Sequence, residues 1–211
     1  MCGRYSIAIE KEEIEDPFHA KFDAAFTPRY NAAPSQMLPV ILNDQPGKIV
    51  FAKWGIDPAW MTKRPDGLIN VRAETLRDKP TFRSDFLKRR CVVIADGFYE
   101  WKATRAGKTP YRIHLKKNGP LAFAGIWEHE PETRFAIVTT AANTLLKPIH
   151  QRMPLIFMPN ECGKWLTDNA TLPKLLETLE PRAYKGMEAN EVSRRVNTAK
   201  TDTPDLITSI G

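Results

Sequence analysis

Cysteine is scarce in this chain: Cys2, Cys91 and Cys162 are the only three in 211 residues. No two form a Cys-x-x-Cys pair, so neither a disulfide framework nor a zinc site is expected. Histidine is almost as sparse, and His19, His114, His129 and His150 lack metal-ligand spacing. No apolar run approaches the ~20 residues of a membrane-spanning helix. Met1-Cys2-Gly3-Arg4 is not followed by a signal-peptide core. Internal repeats, low-complexity tracts and linkers are also missing. These absences speak against disulfide-stapled, zinc-ribbon and helical membrane classes. They leave a soluble, cytoplasmic protein as the expectation, with one domain of ordinary size.

What is present is globular in character: 42% hydrophobic and 27% charged residues. Lys and Arg number 31 against 25 Asp and Glu, a net charge of +6. That excess permits an anionic partner without demanding one. The 17 prolines are spread along the whole length, as suits many short strands and defined loops. Strands are predicted over 48–54, 67–73, 91–95, 97–101, 111–115, 121–127, 134–140 and 155–158. Lys117-Asn118-Gly119 reads as a hairpin turn between the 111–115 and 121–127 strands, because Asn-Gly accepts positive φ. Short helices are expected over 11–16, 80–89, 160–167 and 172–179, with Asn160 and Thr171 as caps of the last two. Strands in the middle and helices at the edges predict an α+β fold, a mixed antiparallel barrel-like β core with peripheral helices.

Four places could carry chemistry. Cys2 is small enough that Met1 is expected to be removed, leaving a residue with both a thiol and a free α-amine. Those groups titrate near ~8.5 and ~7.7–8.0, so both are partly reactive at neutral pH. Such a pair would trap an aldehyde as a Schiff base and then close to a five-membered thiazolidine. In Leu68-Ile69-Asn70-Val71-Arg72-Ala73-Glu74, period-two alternation puts Asn70, Arg72 and Glu74 on one face. That face reads as a site wall with an anion clamp, or as the solvated side of an amphipathic strand. In Gly97-Phe98-Tyr99-Glu100-Trp101, an extended chain puts Phe98 and Glu100 on one face and Tyr99 and Trp101 on the other. The carboxylate sits among aromatics, where desolvation would raise its pKa toward that of a general acid; a structural Glu paired with an arginine is the alternative. His150 lies in a proline-bracketed loop feeding a strand, a common place for functional groups. Cys91 reads as a core residue and Cys162 as a helix residue.

Together, Met1-Cys2-Gly3-Arg4-Tyr5, Arg29-Tyr30-Asn31-Ala32-Ala33-Pro34, Asn70-Val71-Arg72-Ala73-Glu74, Ala95-Asp96-Gly97-Phe98-Tyr99-Glu100-Trp101 and Ile149-His150-Gln151-Arg152-Met153-Pro154 resemble, in order and wording, the SRAP family. These are the SOS response-associated peptidases, or abasic-site processing proteins. The resemblance runs from residue 2 to about Ile207 and implies a single domain over 2–211. It implies covalent capture of abasic sites in single-stranded DNA, a role in DNA damage repair, and possible lyase and autoproteolytic activities. The family's catalytic positions fall on Cys2, Asn70, Glu100 and His150. Its DNA-contacting positions fall on Arg4, Pro34, Trp60, Arg72 and Arg152. Two departures stand out: Trp60 is single where a tandem Trp is common, and Thr201 sits where asparagine is frequent.

The resemblance implies no metal and no organic cofactor, no membrane partner, a monomer, and a cytoplasmic or nucleoid location. In the mechanism it implies, Glu100 shuttles protons for sugar ring opening and Schiff-base collapse, and His150 is a second acid/base. Asn70 holds the nucleophile in line, and Arg72 clamps a phosphate. Two other readings of the same residues remain: a peptidase with an N-terminal nucleophile, and a noncatalytic single-strand-binding module that stacks bases on Trp60.

Overall fold

The computed structural model describes residues 2–58, 60, 62, 65–79, 82–105, 107–129, 132–167, 177, 179 and 184–211. In chain order its elements begin with β1 (Tyr5–Ile7), α1 (Lys11–Phe18), β2 (Lys21–Phe22), β3 (Arg29–Ala32), β4 (Met37–Leu42) and β5 (Lys48–Trp54). They continue with β6 (Asn70–Arg72), α2 (Ala73–Asp78), α3 (Arg83–Lys88), β7 (Arg90–Ala95), β8 (Gly97–Thr104) and β9 (Gly107–Leu115). The last are β10 (Leu121–Glu128), β11 (Arg134–Ala141), β12 (Arg152–Pro154), β13 (Ile156–Phe157), α4 (Cys162–Leu166) and β14 (Met187–Glu191).

Two sheets organise these strands. In the larger, β11, β10, β7, β4 and β5 are neighbours in that order. β5 then returns to β11 through a parallel pairing of Lys53 with Arg134 and Trp54 with Phe135, so the hydrogen bonds run around a closed ring. β6 lies parallel to the middle of β11, placing Asn70 opposite Ile137, and β12 lies antiparallel to its end. The smaller sheet has the order β14-β9-β8-β1-β3. The fold is therefore α+β and sheet-rich, with mixed pairing, as expected.

One apolar core serves both sheets. Tyr5 of β1 sits 5.1 Å from Trp54 and 5.8 Å from Phe123 between ring centroids, and Phe98 of β8 also reaches Phe123 at 5.8 Å. Each such buried side chain contributes about 1.5–3 kcal/mol of transfer free energy. The buried Trp54 indole satisfies its N–H on the carbonyl of Ile69 at 2.9 Å, which ties the β6 approach to the ring. A smaller cluster of Tyr99, Val192, Val196 and Leu206 covers the other face of β8. The alternation predicted for 97–101 holds: Phe98 enters the main core, while Tyr99 and Trp101 join the second cluster.

Several expectations are corrected. The Asn118-Gly119 turn has the positive φ values expected, 50° and 137°. It does not close a hairpin, however, because β9 pairs with β8 and β14 while β10 pairs with β7, β11 and β13. The turn carries the chain from one sheet to the other. The hairpin in this region is β8–β9, where Thr104 faces Gly107 across an Arg-containing turn that has no Asn-Gly signature. The 67–73 strand shortens to β6 because the chain enters α2 at Ala73, so Glu74 stands on a helix and not on the face shared by Asn70 and Arg72. Asn160 lies inside a 3-10 turn over Pro159–Glu161 and caps no helix; Glu161 instead accepts from the N–H of Met158. The helix expected over 172–179 and its Thr171 cap lie, but for 177 and 179, outside the described residues, as do residues 80 and 81 of the 80–89 helix.

Candidate active site

The site forms where the two sheets meet. β1 pairs with β8 through Tyr5–Phe98 and Ser6–Gly97, and the ladder extends by a bond from the N–H of Tyr99 to the carbonyl of Arg4 at 3.0 Å. That register brings the residues ahead of β1 alongside Glu100 and Trp101. Cys2 is fully buried there, its thiol directed at the carbonyl of Arg4 at 3.7 Å.

Asn70, the first residue of β6, reaches Cys2 from the ring. Its Nδ2 donates to the carbonyl of Cys2 at 2.8 Å. Its Oδ1 is buried and makes no hydrogen bond among the described residues. An unmade bond of that kind costs about 1–3 kcal/mol, which an arriving amine or hydroxyl donor would recover.

Glu100 is 2% exposed, and its Oε1 lies 3.8 Å from Nδ1 of His150. Burial raises its carboxyl above the ordinary range, while the charge of a protonated His150 and the N–H of Trp101 pull it partly back. The Cys2 thiol is pushed far above its usual range by burial first and by the Glu100 charge second. A neutral thiol is the resting form these shifts favour, beside a carboxyl that keeps its proton to higher pH than an exposed one would.

His150 comes from a loop folded on Asn143, whose side chain accepts from the N–H of Leu146 at 3.1 Å. The N–H of His150 then bonds the carbonyl of Leu146 at 2.9 Å. Behind it, Arg152 grips Glu74 with both ends of its guanidinium, at 2.7 and 2.9 Å, and also donates to the carbonyl of Thr139 at 2.6 Å. That bidentate bond draws the Glu74 carboxyl below its ordinary range. Glu100, Trp101, Lys108, His150 and Asn197 line an open cavity of about 410 Å³.

The structure thus brings together Cys2, Asn70, Glu100 and His150. It distributes the expected DNA-contacting residues differently. Arg72 is exposed, and its side chain makes no hydrogen bond or ion pair among the described residues. Trp60 is 53% exposed, edge-on to Phe82 at 5.1 Å. Pro34 is half-buried beside Ser35, in the turn between β3 and β4. Arg4 and Arg152 have their guanidinium groups committed inside the protein, Arg4 to Asn31 and to the carbonyls of Val196 and Asn197. Trp101, Lys108 and Asn197 were not anticipated as site residues. Only the aromatic setting of Glu100 hinted at the first, and nothing local marks the other two.

The profile of the SOS response associated peptidase (SRAP) family matches residues 1–199. The chain belongs to the SRAP family. Among its relatives, the abasic site processing protein YoqW of Bacillus subtilis (strain 168) is 38% identical over 223 residues, covering 99% of this chain and 100% of YoqW. The abasic site processing protein HMCES of Gallus gallus is 30% identical over 89% of this chain and 68% of its own. A crystal structure of a Bacteroides thetaiotaomicron protein superposes with a TM-score of 0.84 at 24% identity, covering 99% of both chains, which shows the same SRAP fold. Among the described residues no helix is long and apolar enough to cross a membrane, and no group of three or more His, Cys, Asp or Glu is arranged to hold a metal ion.

Proposed function

We propose that this SRAP protein processes abasic sites in single-stranded DNA by capturing the ring-opened aldehyde through Cys2. The observation that carries the reading is the meeting of Cys2 with the open acceptor of Asn70 and with the buried Glu100, which faces the half-buried His150 beside one cavity. The names of YoqW and HMCES support the substrate class.

The chemistry balances without an oxidant or cofactor. Once Met1 is removed, the α-amine of Cys2 adds to the aldehyde carbon to give a carbinolamine. Glu100, whose carboxyl burial raises, donates a proton to the departing hydroxyl, and water leaves to form the protonated imine. The thiol then adds to the iminium carbon; its proton returns to Glu100, and the N–H already on the iminium becomes that of the thiazolidine ring. One water is released per adduct. Asn70 Oδ1 accepts from the amine and holds it in line. Loss of a C2′ proton from the imine would instead expel the 3′ phosphate, the lyase branch of the same intermediate. The exposed Trp60 and Arg72 supply a stacking surface and a phosphate contact for an unpaired strand. We assign Pro34 to the same DNA-facing role, and give Arg4 and Arg152, whose guanidinium groups are bonded to the protein, the task of bracing the site. We read the protein as a monomer acting on DNA in the cytoplasm.

Peptide hydrolysis in trans is the weaker reading, since it needs an ionised thiol and burial keeps that of Cys2 neutral. Self-removal of Met1 remains compatible with capture. The deciding experiment is a denaturing gel of the protein with a single-stranded oligonucleotide carrying one abasic site. A band stable to heat and SDS, absent with intact DNA, is expected; binding without such a band would overturn the reading.

A further inference from the structure

Asn31, in the middle of β3, is fully buried and uses both ends of its amide. Its Oδ1 accepts from Nη1 of Arg4 at 2.9 Å. Its Nδ2 faces the carbonyls of Thr201, Thr198 and Val196 at 2.7, 3.1 and 3.3 Å. The N–H groups of Tyr30 and Asn31 donate to Oδ1 of Asp202 at 2.6 and 2.9 Å, and Nε of Arg29 reaches its other oxygen at 2.5 Å. A strap from Arg194 to Asp202, regular only in one 3-10 turn over Arg194–Asn197, is thereby hung on a single strand.

The strap touches both halves of the candidate site. Nη1 of Arg4 donates to the carbonyl of Val196 at 2.8 Å, two residues from the nucleophile Cys2. Nε1 of Trp101, the neighbour of Glu100, donates to Oδ1 of Asn197 at 2.7 Å. Only a side chain with two donors and an acceptor fits position 31. Aspartate would lose both donors and set a negative charge against three carbonyl oxygens. Leucine, of similar shape, would strand them and Arg4 together.

We infer that Asn31 is a positioning residue: it holds the 194–202 strap so that Arg4 and Trp101 fix Cys2 and Glu100 relative to each other, a role that rests on the capture reaction proposed above. Asn197 is its agent at the cavity. Misplacement of reacting groups by about 1 Å costs about a hundredfold in rate. Because the strap supplies no part of the phosphate contact argued for Arg72, the loss falls on the capture step and not on DNA binding.

Two measurements test this. In single-turnover capture, Asn31→Leu should lower the maximal rate about tenfold to a hundredfold, with the half-saturating DNA concentration changed by less than about twofold. Separately, without DNA, labelling of Cys2 by a soluble disulfide reagent, followed by mass spectrometry against the buried Cys91, should become about tenfold faster as the strap loosens. If Asn31→Leu does not fold, Asn197→Ala decides. It removes only the acceptor of Trp101 and should slow capture about tenfold, and Asn197→Asp, which keeps that acceptor, should restore most of the rate. Wild-type maximal rates in the folded variants, a loss confined to half-saturation, or unchanged Cys2 labelling in Asn31→Leu each overturn the assignment. Absence of any adduct with the wild-type protein would instead overturn the capture reading, and the labelling would still decide the role of Asn31.

Discussion

Nδ1 of His150 lies 3.0 Å from the backbone N and 3.1 Å from the backbone O of the same residue, Arg152. The ring can accept from one or donate to the other, so it keeps a partner in either protonation state without turning. Glu100, 3.8 Å away, faces a base whose orientation survives the transfer of a proton. Because its loop approaches from the ring side, we expect His150 to act on opening and reversal more than on first capture. His150→Ala should still form adduct but release or cleave the DNA more slowly, measured by chasing preformed adduct on a denaturing gel.

Cys2→Ala should abolish the stable adduct while noncovalent DNA affinity stays nearly intact. An uncleavable N-terminal extension should do the same, since an amide nitrogen cannot form a Schiff base. Tagged protein that still crosslinks through Cys2 would contradict the mechanism.

For Glu100 the raised carboxyl fixes the sign of two effects. In the pH window between its ordinary value and its raised one, the folded state binds more protons than the unfolded, so stability falls as pH rises through that window. Glu100→Gln removes this penalty. Its melting temperature should exceed wild type at pH 8, with the carboxyl's contribution vanishing below about pH 4. The same substitution should slow capture by roughly 10²–10⁴-fold, the usual loss of a general acid. A variant that is slower but no more stable at high pH would place the proton elsewhere.

Arg72 and Arg4 should separate cleanly. Arg72→Ala should make the slope of log affinity against log salt shallower by about 0.7, one single-strand phosphate contact. Arg4→Ala should leave that slope unchanged and lower the melting temperature, because its guanidinium bonds Asn31 and the strap. Titration of a single-stranded oligonucleotide at several salt concentrations distinguishes them.

Gly97 is the hinge between β7 and β8, and a Cβ there would lie 2.9 Å from Nε of Arg112. That guanidinium is buried against Asp96 at 3.1 Å and cannot swing away without unpairing it. Gly97→Ala should cost about 1–3 kcal/mol. At about 2–4 °C per kcal/mol for a chain of this size, thermal melting would report it.

Most of the ring strands were legible because their apolar residues are contiguous and bounded by turn residues; β5 matches its predicted limits at Lys48 and Trp54. β1, β2, β3, β4, β12 and β14 were not: all but β4 have five residues or fewer, β4 is interrupted by Pro39, and each is defined by its ladder to a neighbouring strand more than by local pattern. The pairing of β9 escaped for a related reason: Asn118-Gly119 specifies a turn, and a turn does not say which strand lies beside the next. Cys2, Asn70, Glu100 and His150 were found through the wording of their motifs, and the alternation around Glu100 gave its face correctly. Asn31 was visible only as part of a motif. Its work consists of contacts with residues 196–202, a separation that no local periodicity encodes.

That separation has a consequence for the nascent chain. Arg4 and Val196 are 192 residues apart in sequence, yet they share a hydrogen bond beside the nucleophile. At about 5–20 residues per second, roughly ten seconds or more of synthesis divide the appearance of the aminothiol from that of its anchor. Through that interval Cys2 has no formed pocket, no strap and no fixed acid beside it. Such long-range closure is also slow to fold. On the capture reaction proposed above, a newly made molecule gains its reactivity only after residues 194–202 have been made and docked, so a chain that stops short of them carries the nucleophile without the means to commit it.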